Sequence, residues 1–468
     1  MRWITRGCHG WWIGLAFFGC VLSASEAAAQ GPGSGPLTLN DAIQLALENY
    51  PAIKESRARA QAAEEEVGVA RTAYLPRLDM IWQEHRATTN NVFGLLFPQS
   101  VVPSISGPVL GTRSIGNSVW GSAAGVLLSW EAVDFGQRKA RIDVARAQTS
   151  LANTQIALTA LDVASAAADA FITVLAAEES VRAARANVDR LSVFANAVRT
   201  LVQNQLRPGA EQSRADAELA VANTQLSRAV QIAEISRASL ADAVGSAGTS
   251  FELSPGSLAA VPQFSTEPAD VKTHPAARAG QAALDVVRAR QRTLDRAYHP
   301  QITLQSALAG RGTGADVPGG RSFGNGLWLQ VPNWAVGASV TFPAFDIFSI
   351  NARKRVELQN ELAERAHYER TIQALTTQEA KARALVKAAT DIARNTPIER
   401  QAATAGESQA RARYHNGLAS VTEVAEAQRL LAQAEADDAV ARLGVWRSLL
   451  AMAQAHGDLA PLLEQIKR

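Results

Sequence analysis

Residues 137–207 read QRKARIDVARAQTSLANTQIALTALDVASAAADAFITVLAAEESVRAARANVDRLSVFANAVRTLVQNQLR, 71 positions with neither proline nor glycine. Alanine dominates the stretch, and alanine loses no side-chain entropy in a helix. One continuous helix of that length would run about 105 Å. An ordinary globular domain has no use for such an element. Leu191, Phe194, Val198 and Leu201 recur at 3-4-3 spacing, the seam of a coiled coil. Pro208-Gly209 ends the run, and a return helix is predicted from about Glu211 to Val244.

The same design occurs again downstream. A second long helix is predicted from about Ser349 to Asn416, with Asn416-Gly417 as its stop, and a return helix from about Ser420 to His456. Pro397 falls inside the second long helix, where a kink or short break is expected. The return helices are too short for their partners. End-to-end stacking with the helices that begin near Pro51 and Pro275 would make up the length.

Upstream of each long helix the repeat can be measured. Asn49-Tyr50-Pro51-Ala52 is echoed by Thr273-His274-Pro275-Ala276, and Tyr74-Leu75-Pro76 by Tyr298-His299-Pro300. Both copies separate their two prolines by 25 residues, at an offset of 224. From Gly125 and Gly337 onward the offset is 212, and it holds for Asp134 with Asp346 and for Glu211–Leu219 with Glu423–Leu431. The difference of 12 lies between Pro76 and Gly125, as a variable surface loop would produce. Pro51 and Pro275 each suit a first helical turn, and the later X-Pro steps turn the chain extended.

The segments after those steps alternate with period two. Trp334, Val336, Ala338, Val340 and Phe342 oppose Ala335, Gly337, Ser339 and Thr341. Ile302, Leu304 and Leu308 oppose Gln301, Thr303 and Gln305. In copy one Trp120, Ala124, Val126, Leu128 and Trp130 oppose Gly121, Gly125 and Ser129, and Leu78, Met80 and Trp82 oppose Arg77, Asp79 and Gln83. Such faces suit a barrel between lipid and water, or equally a half-buried soluble sheet. Tryptophan favours the barrel. Trp82, Trp120, Trp130, Trp328 and Trp334 are on or near these strands, and that residue gathers at membrane interfaces. Four strands cannot close alone, so closure needs several subunits; three would give twelve strands and room for a lumen.

The N-terminus reads as a leader. Arg2 and Arg6 precede an apolar stretch from Trp11 to Leu22, and Ala27-Ala28-Ala29 offers a cleavage site before Gln30. An uncleaved anchor is the alternative, but the apolar core is short for a span. Phe17-Phe18-Gly19-Cys20 loosely resembles a lipoprotein cleavage box and lacks its usual leucine. Both cysteines, Cys8 and Cys20, lie in this segment, so a cleaved chain has no disulfide or cysteine-based metal site. Formal net charge is +2, which gives no general attraction for nucleic acid. His85, His274, His299, His367, His415 and His456 lack metal-ligand spacing, and the glycine-rich Gly310–Gly326 lacks the lysine of a phosphate loop. Arg353-Lys354-Arg355 reads as a solvated face at a helix start. No enzyme activity, cofactor or metal is expected.

The expected organisation is a leader at 1–29 followed by two repeats. The first, 30–246, has strands at about 75–88 and 117–131, a long helix at about 137–205 and a return helix at about 211–245. The second, 247–468, has strands at about 300–310 and 327–343, a long helix at about 349–416 and a return helix at about 420–456.

The paired Tyr-x-Pro steps at Tyr74 and Tyr298, Val133-Asp134-Phe135-Gly136 at a strand-to-helix junction and Tyr414-His415-Asn416-Gly417-Leu418 at a helical turn carry a resemblance. With the duplication they resemble the TolC-like outer membrane efflux protein family, over nearly all of the chain after the leader. The resemblance implies an α+β membrane protein. Three chains would form one 12-stranded transmembrane β-barrel, with the long helices as a periplasmic helical barrel. It implies a homotrimer in outer-membrane lipid, a periplasmic adaptor and an inner-membrane transporter, with export in an efflux or type I secretion system as the role. The tips Leu206, Arg207, Pro208, Gly209, Gly417 and Leu418 would meet the adaptor. Glu423 and Glu426, with Glu211 and Tyr414, would stand at the periplasmic entrance. Spacing of i,i+3 sets Glu423 and Glu426 on one face, where six carboxylates in a ring would favour cations, or where they merely suit a helix start. Tyr414 and Glu211 would form a constricting hydrogen bond between neighbouring tips. Ala419 stands where some relatives carry a basic residue. A periplasmic adaptor is the rival reading, but it should have one hairpin and a β-rich C-terminal half. A coiled-coil scaffold would lack the tryptophan-rich strands.

Overall fold

The computed structural model describes residues 36–88, 118–262, 270–314 and 326–467. The predicted leader lies outside them, and so do residues 89–117 and 315–325, which hold most of the segment where the two copies differ in length.

Each repeat starts where local chemistry favours a helix. Thr38 caps α1 (Leu39–Asn49) in a reciprocal box with Asp41, worth about 1 kcal/mol. Pro51 opens α2 (Pro51–Thr72) and Pro275 opens its counterpart in the second copy, each at the first helical position. After the second X-Pro step come β1 (Arg77–Thr88) and β2 (Ser118–Val133), then α3 (Gln137–Gln203) and α4 (Gly209–Ala243). The second copy follows as α5 (Pro275–Arg296), β3 (Gln301–Thr313), β4 (Val331–Thr341), α6 (Ile347–His415) and α7 (Val421–His456), and α8 (Ala460–Lys467) comes last.

The four strands form one antiparallel sheet in the order β1-β2-β3-β4, so β1 and β4 are its edges. Register puts Met80, Val126, Leu308 and Trp334 in one row. That row belongs to the apolar face, and the apolar face is the exposed one: Met80 is 77% exposed, Leu308 65%, Trp334 79% and Val336 72%. On the other face Leu127, Ala123, Ala307 and Ala309 are buried. A soluble half-buried sheet would show the reverse. Large aliphatics and tryptophans directed outward in a continuous band fit hydrocarbon as the solvent.

The β2–α3 corner is a built joint. Phe135 and Gly136 both take positive φ, 48° and 93°. Asp134 accepts hydrogen bonds from the Gly136 N–H (3.2 Å), the Arg138 N–H and the Arg138 guanidinium. Arg138 is 4% exposed, donates to the Ala73 and Ala132 carbonyls and stacks 4.6 Å over Tyr74. Burial alone would raise the Asp134 pKa; the bonds from Arg138 and Gly136 outweigh it and hold the carboxyl below its ordinary value.

Below the sheet, α3 packs on α2 and α5 with its first part and on α4 and α7 further along; α6 packs likewise on α5 and α7. Shorter helices meet end to end to match it. Gly245 (φ +73°) sits against Asn49 and Tyr50, and its counterpart Gly457 (φ +77°) against His274 and Pro275. A Cβ at Gly457 would lie 2.6 Å from Pro275, so both the dihedral and the space require glycine. The main core gathers at this level around Phe171, Leu240 and Trp446, whose indole N–H donates to the Ala260 carbonyl (2.9 Å). One window of α3 is apolar enough to cross a membrane, but 61% of it is buried in this core.

Of the kink or short break expected at Pro397, the break does not occur: α6 runs from Ile347 to His415 with the proline inside it. An interior proline costs about 3 kcal/mol, and two contacts to α7 flank this one. Thr396 donates to Asp438 (3.4 Å) and Arg400 pairs with it (3.2 Å), and Asp438 is buried on α7.

His274 caps α5 with Nδ1, which accepts from the Ala276 N–H (3.0 Å), while Nε2 faces the Gln454 carbonyl (3.1 Å). Burial lowers its pKa, opposed by the Gln454 carbonyl and the Asp162 carboxylate. A depressed histidine contributes stability that is present above its ordinary pKa and lost as pH falls through the depressed value. Thermal midpoints between pH 8 and 5 should therefore fall more for the wild type than for His274→Asn, which keeps a cap and does not titrate. Parallel curves would remove His274 from that role. At the corner, Asp134→Asn leaves the Arg138 guanidinium buried without its countercharge. It should cost about 3–5 kcal/mol in denaturant unfolding. Asp346→Asn, at the exposed equivalent position, should cost far less.

Candidate functional site

The far ends of α3/α4 and α6/α7 are two tips of one design. At the first, the Leu206 N–H donates to Leu201 O (2.9 Å) and the Gln205 N–H to Val202 O (2.9 Å). At the second, the Leu418 N–H donates to Arg413 O (2.8 Å) and the Gly417 N–H to Tyr414 O (3.0 Å). Both are the paired 6→1 and 5→2 bonds that close a helix on a left-handed residue. Copy two uses Gly417 (φ 74°) there and copy one Gln205 (φ 58°). Pro208 and Ser420 then start the return helices, and the Ser420 hydroxyl accepts from the Glu423 N–H (3.3 Å).

The two tips are joined by a knot centred on Tyr414, which is 2% exposed. Its ring meets Phe194 edge-on at 5.5 Å and carries the Arg207 guanidinium 4.9 Å over its face. Its hydroxyl donates to Glu211 (3.1 Å), and Arg207 donates to the Tyr414 carbonyl (3.3 Å). Arg207 and Glu211 are themselves 3.7 Å apart. Burial, then the bond to Glu211, push the phenol up to about 12, so it remains a donor at any physiological pH. Tyr414 and Glu211 were expected as a pair from the resemblance; within one chain they bridge the first tip to the second. Arg207 was expected only as a contact residue, and its stacking position was not read.

Glu423 and Glu426 lie on the exposed start of α7, and each has an arginine of the same chain beside it. Glu423 is 3.8 Å from Arg413, which also donates to the Leu418 carbonyl (3.2 Å). Glu426 is bound at both oxygens by Arg429, at 2.6 and 3.0 Å, which holds its carboxyl below the usual range. Sequence reading missed both arginines; Arg429 at i+3 from Glu426 was the available signal. Leu206 and Leu418, equivalent across the repeat, are 67% and 69% exposed. Pro208, Gly209 and Gly417 are exposed beside them, Arg207 is half-buried, and Ala419 is buried. Among the described residues no group of three or more His, Cys, Asp or Glu is arranged to hold a metal ion.

Comparison with solved structures finds the same fold at low identity. CusC, whose reported structures concern folding and transmembrane channel formation, matches with a TM-score of 0.73 at 16% identity, covering 90% of this chain and 92% of that one. The CmeC outer membrane channel of Campylobacter jejuni gives 0.71 at 16%, covering 92% and 89%. The MtrE outer membrane channel of Neisseria gonorrhoeae, solved in its open state, gives 0.70 at 20%, covering 90% and 89%. A search of curated proteins finds no match. The family model described as outer membrane efflux protein matches twice, at residues 42–246 and 272–458. Those two segments are the two repeats, with the tips inside them, and the chain belongs to the outer membrane efflux protein family.

Proposed function

We propose that three copies of this outer-membrane efflux channel close one barrel and one tunnel, and that the tips described above are its periplasmic entrance. The outward apolar face of a sheet with two unpaired edges carries this reading. Edge backbone groups cannot be left unpaired in hydrocarbon, so β4 of one copy pairs with β1 of the next. Twelve strands leave a lumen that side chains do not fill. The tips end in equivalent exposed leucines, Leu206 and Leu418, flanked by Pro208, Gly209 and Gly417. They suit a helical partner, and a periplasmic adaptor linked to an inner-membrane transporter is the partner proposed. Substrates pass through without chemical change, and the transporter selects them.

Within the entrance, the Tyr414–Glu211–Arg207 knot holds the two hairpins of a chain together. Tyr414→Phe keeps the packing on Phe194 and removes the bond to Glu211. A hydrogen bond to a charged group is worth about 1.5–3 kcal/mol. Single-channel recordings in planar bilayers should show higher mean conductance or more frequent large openings for the variant. Traces identical to wild type would take the knot out of the constriction.

Glu423 and Glu426 set the sign of the field at that entrance, tempered by Arg413 and Arg429. Changing both glutamates to glutamine leaves the arginines unmatched. Reversal potentials in a salt gradient should then shift toward anion preference. Unchanged selectivity would show that neither carboxylate faces the conducting path.

A further inference from the structure

The arginine-rich start of α6 leads to a pocket outside the entrance. Arg353 and Val356 on α6 meet Arg141 and Val144 on α3, and Arg290 and Leu294 on α5, around a cavity of about 410 Å³. All three helices are near their sheet ends here. Val144 is seven residues past Gln137, about 10 Å along the helix. The pocket therefore opens just below the strands, on the side toward the tips.

Three of the cations near it are matched. Arg288 pairs with Glu361 (3.3 Å), Lys354 with Asp295 (2.6 Å) and Arg146 with Asp143 (3.2 Å). Arg141, Arg290 and Arg353 differ: among the described residues none of them has a hydrogen-bond or ion-pair partner. The single carboxylate at the rim, Glu357, accepts from Asn360 (3.3 Å). Three exposed arginines from three helices thus stand round one cavity whose wall is mostly hydrocarbon, with a single carboxylate among them. Like charges brought together repel unless an anion joins them, and the guanidinium fork fits phosphate and carboxylate oxygens. The floor is a separate observation: Val144, Leu294 and Val356 offer hydrocarbon beside the charges. The volume exceeds what a small inorganic anion fills, since one water occupies about 30 Å³ of liquid.

We propose that this pocket binds an anionic amphiphile, with its phosphate or carboxylate on Arg141, Arg290 and Arg353 and its apolar body on Val144, Leu294 and Val356. A phospholipid of the adjacent leaflet and a free amphiphilic anion share that chemistry. Basic pockets at the edge of a bilayer are a known means of holding anionic head groups.

The test uses the intact oligomer purified in an uncharged detergent, with dodecyl phosphate and inorganic phosphate as probes. Dodecyl phosphate should bind at least about tenfold more tightly than phosphate, and the Arg141→Gln/Arg290→Gln double variant should lose that affinity about tenfold or more. Leu294→Asn should weaken dodecyl phosphate and leave phosphate unchanged. Native mass spectrometry from nanodiscs of phosphatidylglycerol and phosphatidylcholine distinguishes the sources. Selective retention of phosphatidylglycerol, lost in the double variant, assigns the site to membrane lipid. Equal retention of both, with dodecyl phosphate still bound through the arginines, assigns it to a free anion. Three results overturn the proposal: unchanged affinity in the double variant, phosphate binding as tightly as dodecyl phosphate, or dissociation of the variant into monomers. The last would mean that the arginines serve a neighbouring subunit's carboxylates.

Discussion

Backbone N–H and C=O groups have no partner in hydrocarbon except each other, and this governs the whole chain. Four antiparallel strands satisfy their inner ladders and leave β1 and β4 open. The apolar residues that would normally hide such a sheet are directed outward, so the sheet cannot be rescued by packing in water. It can only be completed by more strands. Everything below follows from the strand ends. Helices α2 and α5 feed β1 and β3, and α3 and α6 leave β2 and β4. Sheet register therefore sets the positions of four helices in the wall, and the corner at Asp134 and Arg138 carries one of those positions across.

Duplication supplies the frame, and the departures from it supply the specific contacts. Gly245 and Gly457 are kept in both copies because two chain ends press against them. Elsewhere the copies differ. Arg138 has Ile350 as its counterpart, so the buried ion pair belongs to copy one alone. Tyr50 corresponds to His274, so only the second junction carries a side-chain cap that titrates. At the tips the counterpart of Tyr414 is Val202 and that of Arg207 is Ala419. Two of the knot's three residues, Tyr414 and Arg207, are thus ones that the repeat does not share, while Glu211 has a glutamate, Glu423, as its counterpart; one copy gives the ring and the other the charges.

That division explains what could be read from sequence. Long helices, proline steps and alternating strands are local patterns, legible from spacing within one segment. The direction of the alternating faces is not local. Trp334 and Val336 have the same pattern in a soluble sheet as in a barrel, and only their exposure decides. At Pro397 the cost of a proline is local and was legible, whereas the contacts of Thr396 and Arg400 with Asp438 on another helix were not. Phe194 was legible as seam; that it is also the shelf for Tyr414 depends on a contact across the repeat. Among the described residues Trp446 is the tryptophan away from the strands, and it belongs to the core.

Charge at the tips illustrates a general order of effects. An ion pair a few ångströms apart acts on its own members first and on a distant ion only as a dipole, and salt screens the remainder over about 8 Å. Glu211 is engaged by Tyr414 and Arg207, Glu426 by Arg429 and Glu423 by Arg413. The field at the proposed entrance would therefore be weaker than six bare carboxylates in a ring would produce. The same contacts have a mechanical consequence. Arg207, Glu211 and Tyr414 tie the first hairpin to the second in one chain, so the two cannot separate while the knot is intact. Unpaired strand edges call for several chains to assemble; the knot makes each chain bring its two hairpins to the proposed entrance as one body.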